Sequence, residues 1–312
     1  MASHDVRLKK IRATALLLAV LSVLVVLISA YLRLDGAGLG CADWPMCYGQ
    51  LLTSEPQAQQ YGVARLLHRI TASTALLLAC FLVWHCLRPQ PVQPAARYAT
   101  LLLLLMLTLS ALGIWSADQR LSLVGFLNIM GGFGLVTFSW RVVLASSPAP
   151  IRGTDEGLGV LLRLGAVALS LTVMLGAWIG ASYAAPSCPS LPHCAGVWWP
   201  SSEGWSALNP LVRLTRAALP GEPGGVTLHL LHRYSAFCTL LLLGSASLQA
   251  LAHDATRNAA RAVLFLLTVE LGLGALTVLS GFSLWLAVSH GVCAACLLAA
   301  LVSLLRNKRF SD

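Results

Sequence analysis

The chain has 312 residues, 57% of them hydrophobic and only 11% charged, with a mean hydropathy of +0.76. That balance excludes a soluble enzyme built round one large core and describes a polytopic, all-α membrane protein. A net charge of +9 would suit nucleic acid, but the order of the spans gives the cations another meaning.

A helix needs about 20 apolar residues to cross a bilayer. Eight such runs occur, near 13–33, 62–87, 98–116, 122–144, 158–184, 227–251, 262–281 and 283–305. The third and fourth are parted only by ADQRL, and the seventh and eighth by a short stretch around Gly281, so both pairs read as hairpins. The roughly 10-residue alternating pattern of a barrel strand is absent. Fourteen of the 21 Lys and Arg fall on one side of this eight-span arrangement. By the positive-inside rule both termini are expected to be cytoplasmic, in a bacterial-type inner (cytoplasmic) membrane or its equivalent. The cations thus mark topology, and the expected partner is the lipid bilayer, not nucleic acid. The first run lacks an A-x-A-like cleavage site and reads as a retained span.

Ahead of the second span stands GCADWPMCYG (40–49), and ahead of the sixth SCPSLPHCAG (187–196). Cys188 follows Cys41 by 147 positions, Cys194 follows Cys47 by the same 147, and Gly196 answers Gly49. Each loop leads to a second echo, RLLHRITA (65–72) and HLLHRYSA (229–236), whose histidines are 164 apart. The second loop therefore carries 17 extra residues. Such a repeat defines architecture before any single motif does. The expected fold is eight transmembrane helices in two pseudo-symmetric four-helix halves, 1–148 and 158–312, joined by a cytoplasmic linker at 149–157. Cys41, Cys47, Cys188 and Cys194 fall on the oxidising face and fit disulfides. Zinc is the lesser alternative, because zinc sites want four ligands and usually closer cysteines. Cys80, Cys86, Cys238, Cys293 and Cys296 fall within helices as small core residues.

Ionisable residues inside a membrane are costly and point to function. His68, His232 and His290 each lie a few residues inside the outer end of a span. His232 and His290, 58 residues apart on spans six and eight, have matched depth. Two facing imidazoles in a helix bundle can hold a haem iron; the plainer alternative is a hydrogen-bonded buried pair. The first-half counterpart of His290 is Asn128, 60 residues after His68. Asparagine is a poor iron ligand, so bis-histidine ligation is expected only in the second half. Arg69 and Arg233 follow their histidines and suit either haem propionates or interfacial snorkelling. Arg65 and His229, one turn earlier, are supporting or rim positions. Glu270 in span seven suits a proton relay or a hydrogen bond to a neighbouring helix. Trp44, Trp198, Trp199 and Trp205 suit an interfacial belt or a lid.

The stretches RLDGAGLGCADWPMCYG and LLHR, then LGAWIGASYAAPSCPSLPHCAGVWWP, HLLHR and LAVSHG, together resemble the haem A synthase family over nearly the whole chain. The resemblance implies an eight-span enzyme that oxidises the C8 methyl of haem O to a formyl, giving haem A for terminal oxidases. It implies a haem b cofactor on His232 and His290, beside which Arg233 keeps its two readings. It implies haem O as substrate in the first half with His68 as a ligand; Asn128 and Arg69 are the neighbouring candidates from the residue pattern. Haem O synthase and the terminal oxidase assembly machinery become expected partners, and the loop cysteines gain a redox alternative. Two positions depart from the family pattern. Arg65 stands where the family commonly has a catalytic Glu, and Asn128 where it has a second first-half His, so no catalytic residue is assigned. The alternative is a catalytically degenerate haem-binding protein serving oxidase assembly or haem handling. A transporter built on a repeat is disfavoured, since the two halves share one orientation and few helix breakers interrupt the spans.

Overall fold

The computed structural model describes residues 2–39, 43, 45–52, 62–115, 118, 120–147, 156–211 and 213–307. Among them are eight helices long and apolar enough to cross a membrane: α1 (Ala2–Gly36), α2 (Gly62–Leu87), α3 (Ala95–Leu112), α4 (Ser122–Ala145), α5 (Glu156–Ala181), α6 (Pro223–Ala250), α7 (Asp254–Leu279) and α8 (Leu284–Asn307). No strand is present among the described residues; two isolated bridges lie in the loops.

The helices overrun the apolar runs where polar residues can continue the backbone ladder. α7 starts at Asp254 rather than near 262, with the acidic Asp254 in its first turn paired to Arg257 at 2.6 Å. α5 starts at Glu156, inside the stretch expected to be linker; residues 148–155 lie outside the described residues. α3 ends earlier than its apolar run, at Leu112, so the α3–α4 turn is longer than ADQRL alone. The prolines of PQPVQP separate α2 from α3, since proline lacks the N–H that a helix needs. α6 opens with Pro223 in its first turn, where that N–H is not required.

Helices α1 to α4 share one core, centred on Ile11, Leu18, Ala79, Leu82, Leu102 and Val142. The second core gathers α5 to α8, and Val26 of α1 with Phe133 and Val136 of α4 also enter it. α1 and α4 therefore belong to both halves, and each packs on α8. Small residues allow close approach, the usual substitute for a hydrophobic drive inside lipid. A Cβ on Gly165 of α5 would meet the Leu243 Cα of α6 at 2.8 Å. Hydroxyl pairs bridge helices: Ser22–Ser139 at 3.1 Å between α1 and α4, and Thr172–Thr239 at 3.0 Å between α5 and α6. At the end carrying the termini, Arg7 donates to the carbonyls of His85, Cys86 and Gln90 and so satisfies orphan groups closing α2. The Trp140 indole donates to Ser303, and Arg306 donates to the Ser147 carbonyl, tying α4 and its C-terminus to α8.

The opposite end carries the two long connections and is roofed by a separate cluster of Leu34, Tyr48, Leu52, Tyr183, Phe282 and Val288. Phe282 holds a left-handed backbone (φ +64°) in the α7–α8 turn while its ring is buried in that cluster. The matched loop glycines are explained here. Gly49 and Gly196 both take positive φ, +71° and +84°, where a side chain is strained.

Candidate functional site: a histidine pair and a roofed cavity

α6 and α8 bring His232 and His290 together, with ring centroids 6.4 Å apart and planes at 87°. His232 Nδ1 donates to the Thr172 carbonyl of α5 at 3.0 Å; a carbonyl only accepts, so the proton sits on Nδ1. His290 Nδ1 faces Glu270 Oε1 of α7 at 3.1 Å, a close approach that is not aligned as a hydrogen bond. Each ring also lies against a glycine. A Cβ on Gly176 would fall 3.0 Å from the His232 Cε1, and one on Gly274 would fall 3.1 Å from the His290 Cε1. The pattern is the same twice: Thr172 or Glu270 anchors Nδ1, and the glycine four residues later leaves room for the ring.

Among the described residues neither Nε2 has a hydrogen-bond partner. Engaging Nδ1 fixes the tautomer that leaves Nε2 for a metal. A metal–imidazole bond of about 2.0–2.1 Å on each side would set two ring centres roughly 6 Å apart. The pair thus fits a six-coordinate haem iron. A zinc site is not indicated: among the described residues no three His, Cys, Asp or Glu converge on a metal position. Sequence reasoning singled out Glu270 but missed Thr172, Gly176 and Gly274. A backbone carbonyl leaves no mark in a sequence; the glycines inside GAWIGA and LGLGA were a usable signal.

A cavity of about 520 Å³ lies among α1, α2, α3 and α4, with Gly180 and Ala181 of α5 and Gly291 of α8 completing its wall, within the usual range of ligand sites. His68, Arg65 and Asn128 all line it, so the structure unites these three. Arg69 is exposed on α2 and is not among the lining residues. The lining also includes Arg33 and Asp118, to which the sequence reading gave no role. Much of the remaining wall is apolar, with Val26, Met106 and Phe133 among it.

The loop end is braced by α6 and by contacts between the two loops. Cys188 and Cys194 are joined in a disulfide, which removes the zinc alternative for that pair. Arg233 holds this loop by donating to the carbonyls of Pro192 (3.2 Å) and His193 (3.0 Å), and its Nη2 is buried without a partner. His229 Nε2 donates to the Ala184 carbonyl at 3.1 Å, so this residue ties α6 to the loop. Cys41 and Trp44 lie outside the described residues; Cys47 is disulfide-bonded. Trp198, Trp199 and Trp205 are exposed at this end.

The second loop then crosses to the first half. Leu214 N–H donates to the Arg120 carbonyl, and Arg120 Nε donates to the Leu52 carbonyl. Arg213 pairs with Asp118, and Ala217 packs so closely on Gly49 that a Cβ there would meet its own at 2.6 Å. Burial opposes ionisation of Asp118, but the Arg120 N–H and the Arg213 guanidinium outweigh it and hold the carboxyl below its usual range.

The chain matches the COX15-CtaA family, described as cytochrome oxidase assembly protein, over residues 12–63 and 67–302. It belongs to that family. Among similar proteins, the heme A synthase of Shewanella oneidensis is 29% identical over 91% of this chain and 92% of its own length. A protoheme IX farnesyltransferase of Thermus thermophilus is 29% identical over 86% of this chain but only 43% of its own length. The heme A synthase of Symbiobacterium thermophilum is 34% identical over 40% of this chain and 39% of its own. Membership fits the two features on which the fold converges, the histidine pair and the roofed cavity.

Proposed function

We propose that this protein is a haem A synthase-type enzyme of the membrane, which oxidises the C8 methyl of haem O to a formyl for terminal oxidase maturation. The observation that carries the reading is the His232–His290 pair, spaced for one iron with both Nε2 atoms uncommitted. A b-type haem held there supplies one-electron redox chemistry. The protein's part is to fix both imidazoles, through the Thr172 carbonyl and Glu270, and to leave ring space at Gly176 and Gly274. The buried Arg233 Nη2 suits a propionate at the same site.

The first-half cavity is the proposed haem O site. His68 would offer an imidazole to the haem iron and Asn128 a neutral amide, and the apolar wall would keep water from the reacting edge. The Thermus relative, named for farnesylating protohaem IX, supports a farnesylated haem as the substrate and a haem O synthase as partner. We place the histidine end of the bundle outside and both termini in the cytoplasm of a bacterial-type inner membrane, on the cation distribution. The two halves are the products of an internal duplication, supported by the matched loop motifs and by the positive-φ glycines Gly49 and Gly196.

One observation favours a second reading, a haem-binding assembly protein without synthase activity. Arg65 and Asn128 both line the cavity where the family resemblance calls for Glu and His. Co-expression with a haem O synthase, followed by chromatography of extracted haems, separates the two. Hydroxylated haem O or haem A is the expected product; unchanged haem O beside a bound b-type haem would establish the second reading instead.

A further inference from the structure

We propose that Arg33 is the carboxylate-binding group of the first-half cavity and grips an acidic side chain of the ligand that fills it. Arg33 stands in the last turn of α1 and lines the cavity. Its guanidinium lies against Gly180 of α5, where a Cβ would come within 3.1 Å of Nη1 and 3.8 Å of Cζ. The glycine gives the planar group its seat. The electrostatic neighbours are Tyr48 and Tyr183, neutral phenols that supply no counter-charge. Among the described residues the guanidinium has neither an ion pair nor a hydrogen bond. The lining's carboxylate, Asp118, is already committed to Arg213.

A guanidinium does not shed its proton in a protein; Arg33 is half-buried on the cavity wall, and filling the cavity without an anion there would strip its remaining water from an unpaired charge. The missing anion is therefore supplied by the occupant. The planar fork matches a carboxylate bidentately. Because apolar side chains dominate the walls below, the occupant is amphipathic: a large apolar body with its acid group toward the loop end. Arg33 rather than the exposed Arg69 is then the propionate partner, and a porphyrin enters this cavity in one orientation. This inference rests on the reading of the cavity as a haem site.

The test uses the full-length protein in detergent, titrated with ferric protoporphyrin IX and with its dimethyl ester. First-half binding is the part lost in His68→Ala, and the Soret band of the His232–His290 haem reports an intact fold. Wild type is expected to bind the free acid about tenfold or more tighter than the diester, the scale of a charged hydrogen bond. Arg33→Gln should bring that ratio close to one, and Arg33→Lys should keep part of it. An undiminished ratio in Arg33→Gln overturns the role of Arg33 while leaving the haem reading standing. Equal binding of acid and ester by wild type does the same. If neither porphyrin binds in a His68-dependent way, both fail.

Discussion

His290 has a carboxylate behind it and His232 a carbonyl, and this difference has consequences. A carboxylate raises the basicity of the imidazole it anchors, and such supporting groups are typically worth 10–100-fold in metal affinity. Glu270→Gln is expected to weaken haem retention about tenfold with the low-spin spectrum preserved, as read by the rate of haem loss to a scavenger protein. His232→Ala or His290→Ala should abolish the low-spin b-haem, whereas His68→Ala should spare it. Equal loss from all three would contradict the division of labour between the halves. Gly274→Val tests the ring seat directly: its side chain would occupy space 3.1 Å from the imidazole, and the haem should be lost although every ligand remains.

At the scale of elements, the stretch of the second loop that includes Arg213, Leu214 and Ala217 behaves as a strap. It comes from one half and roofs the cavity of the other, through Leu214, Arg213 and Ala217. Replacing residues 209–219 with a Gly/Ser linker, with Cys188 and Cys194 kept, should leave the b-haem band unchanged and speed ligand loss from the first-half cavity. Gly49→Ala acts at the same seam. It adds a methyl against Ala217 at a left-handed position, with an expected cost above about 1 kcal/mol, read as a lower unfolding midpoint. The Asp118 carboxyl is depressed, so the Arg213 contact is complete above the usual carboxylate range. It is lost only as pH falls through the lowered value. Protease cleavage near Arg213 should therefore stay slow at neutral pH and rise below about pH 4. The repeat made the extra length of this loop legible in the sequence, but not its destination. Only the folded chain brings Ala217 to Gly49, 168 residues away.

For the whole molecule, the parts that depend on runs and repeats were legible: eight apolar helices, the histidines at matched depth, and a disulfide in the second loop. The parts that were not are those supplied by another segment's backbone or by missing side chains. Thr172 acts through its carbonyl, Gly180 through having no Cβ, and Arg33 through the lack of a counter-charge. Polar first turns also hid the true starts of α5 and α7, because hydropathy marks the lipid-facing length of a helix rather than its hydrogen-bonded length.

α1 stacks Tyr31 on Trp285 of α8 at 5.5 Å and sends Val26 into the second core. During synthesis α1 must wait for α8 before this part of its surface is covered. The packing of α1 and α4 on α8 thus couples the two halves. A ribosome stalled before α8 leaves a nascent chain whose first helix still has an unfilled seam, a mark that quality-control proteases can read.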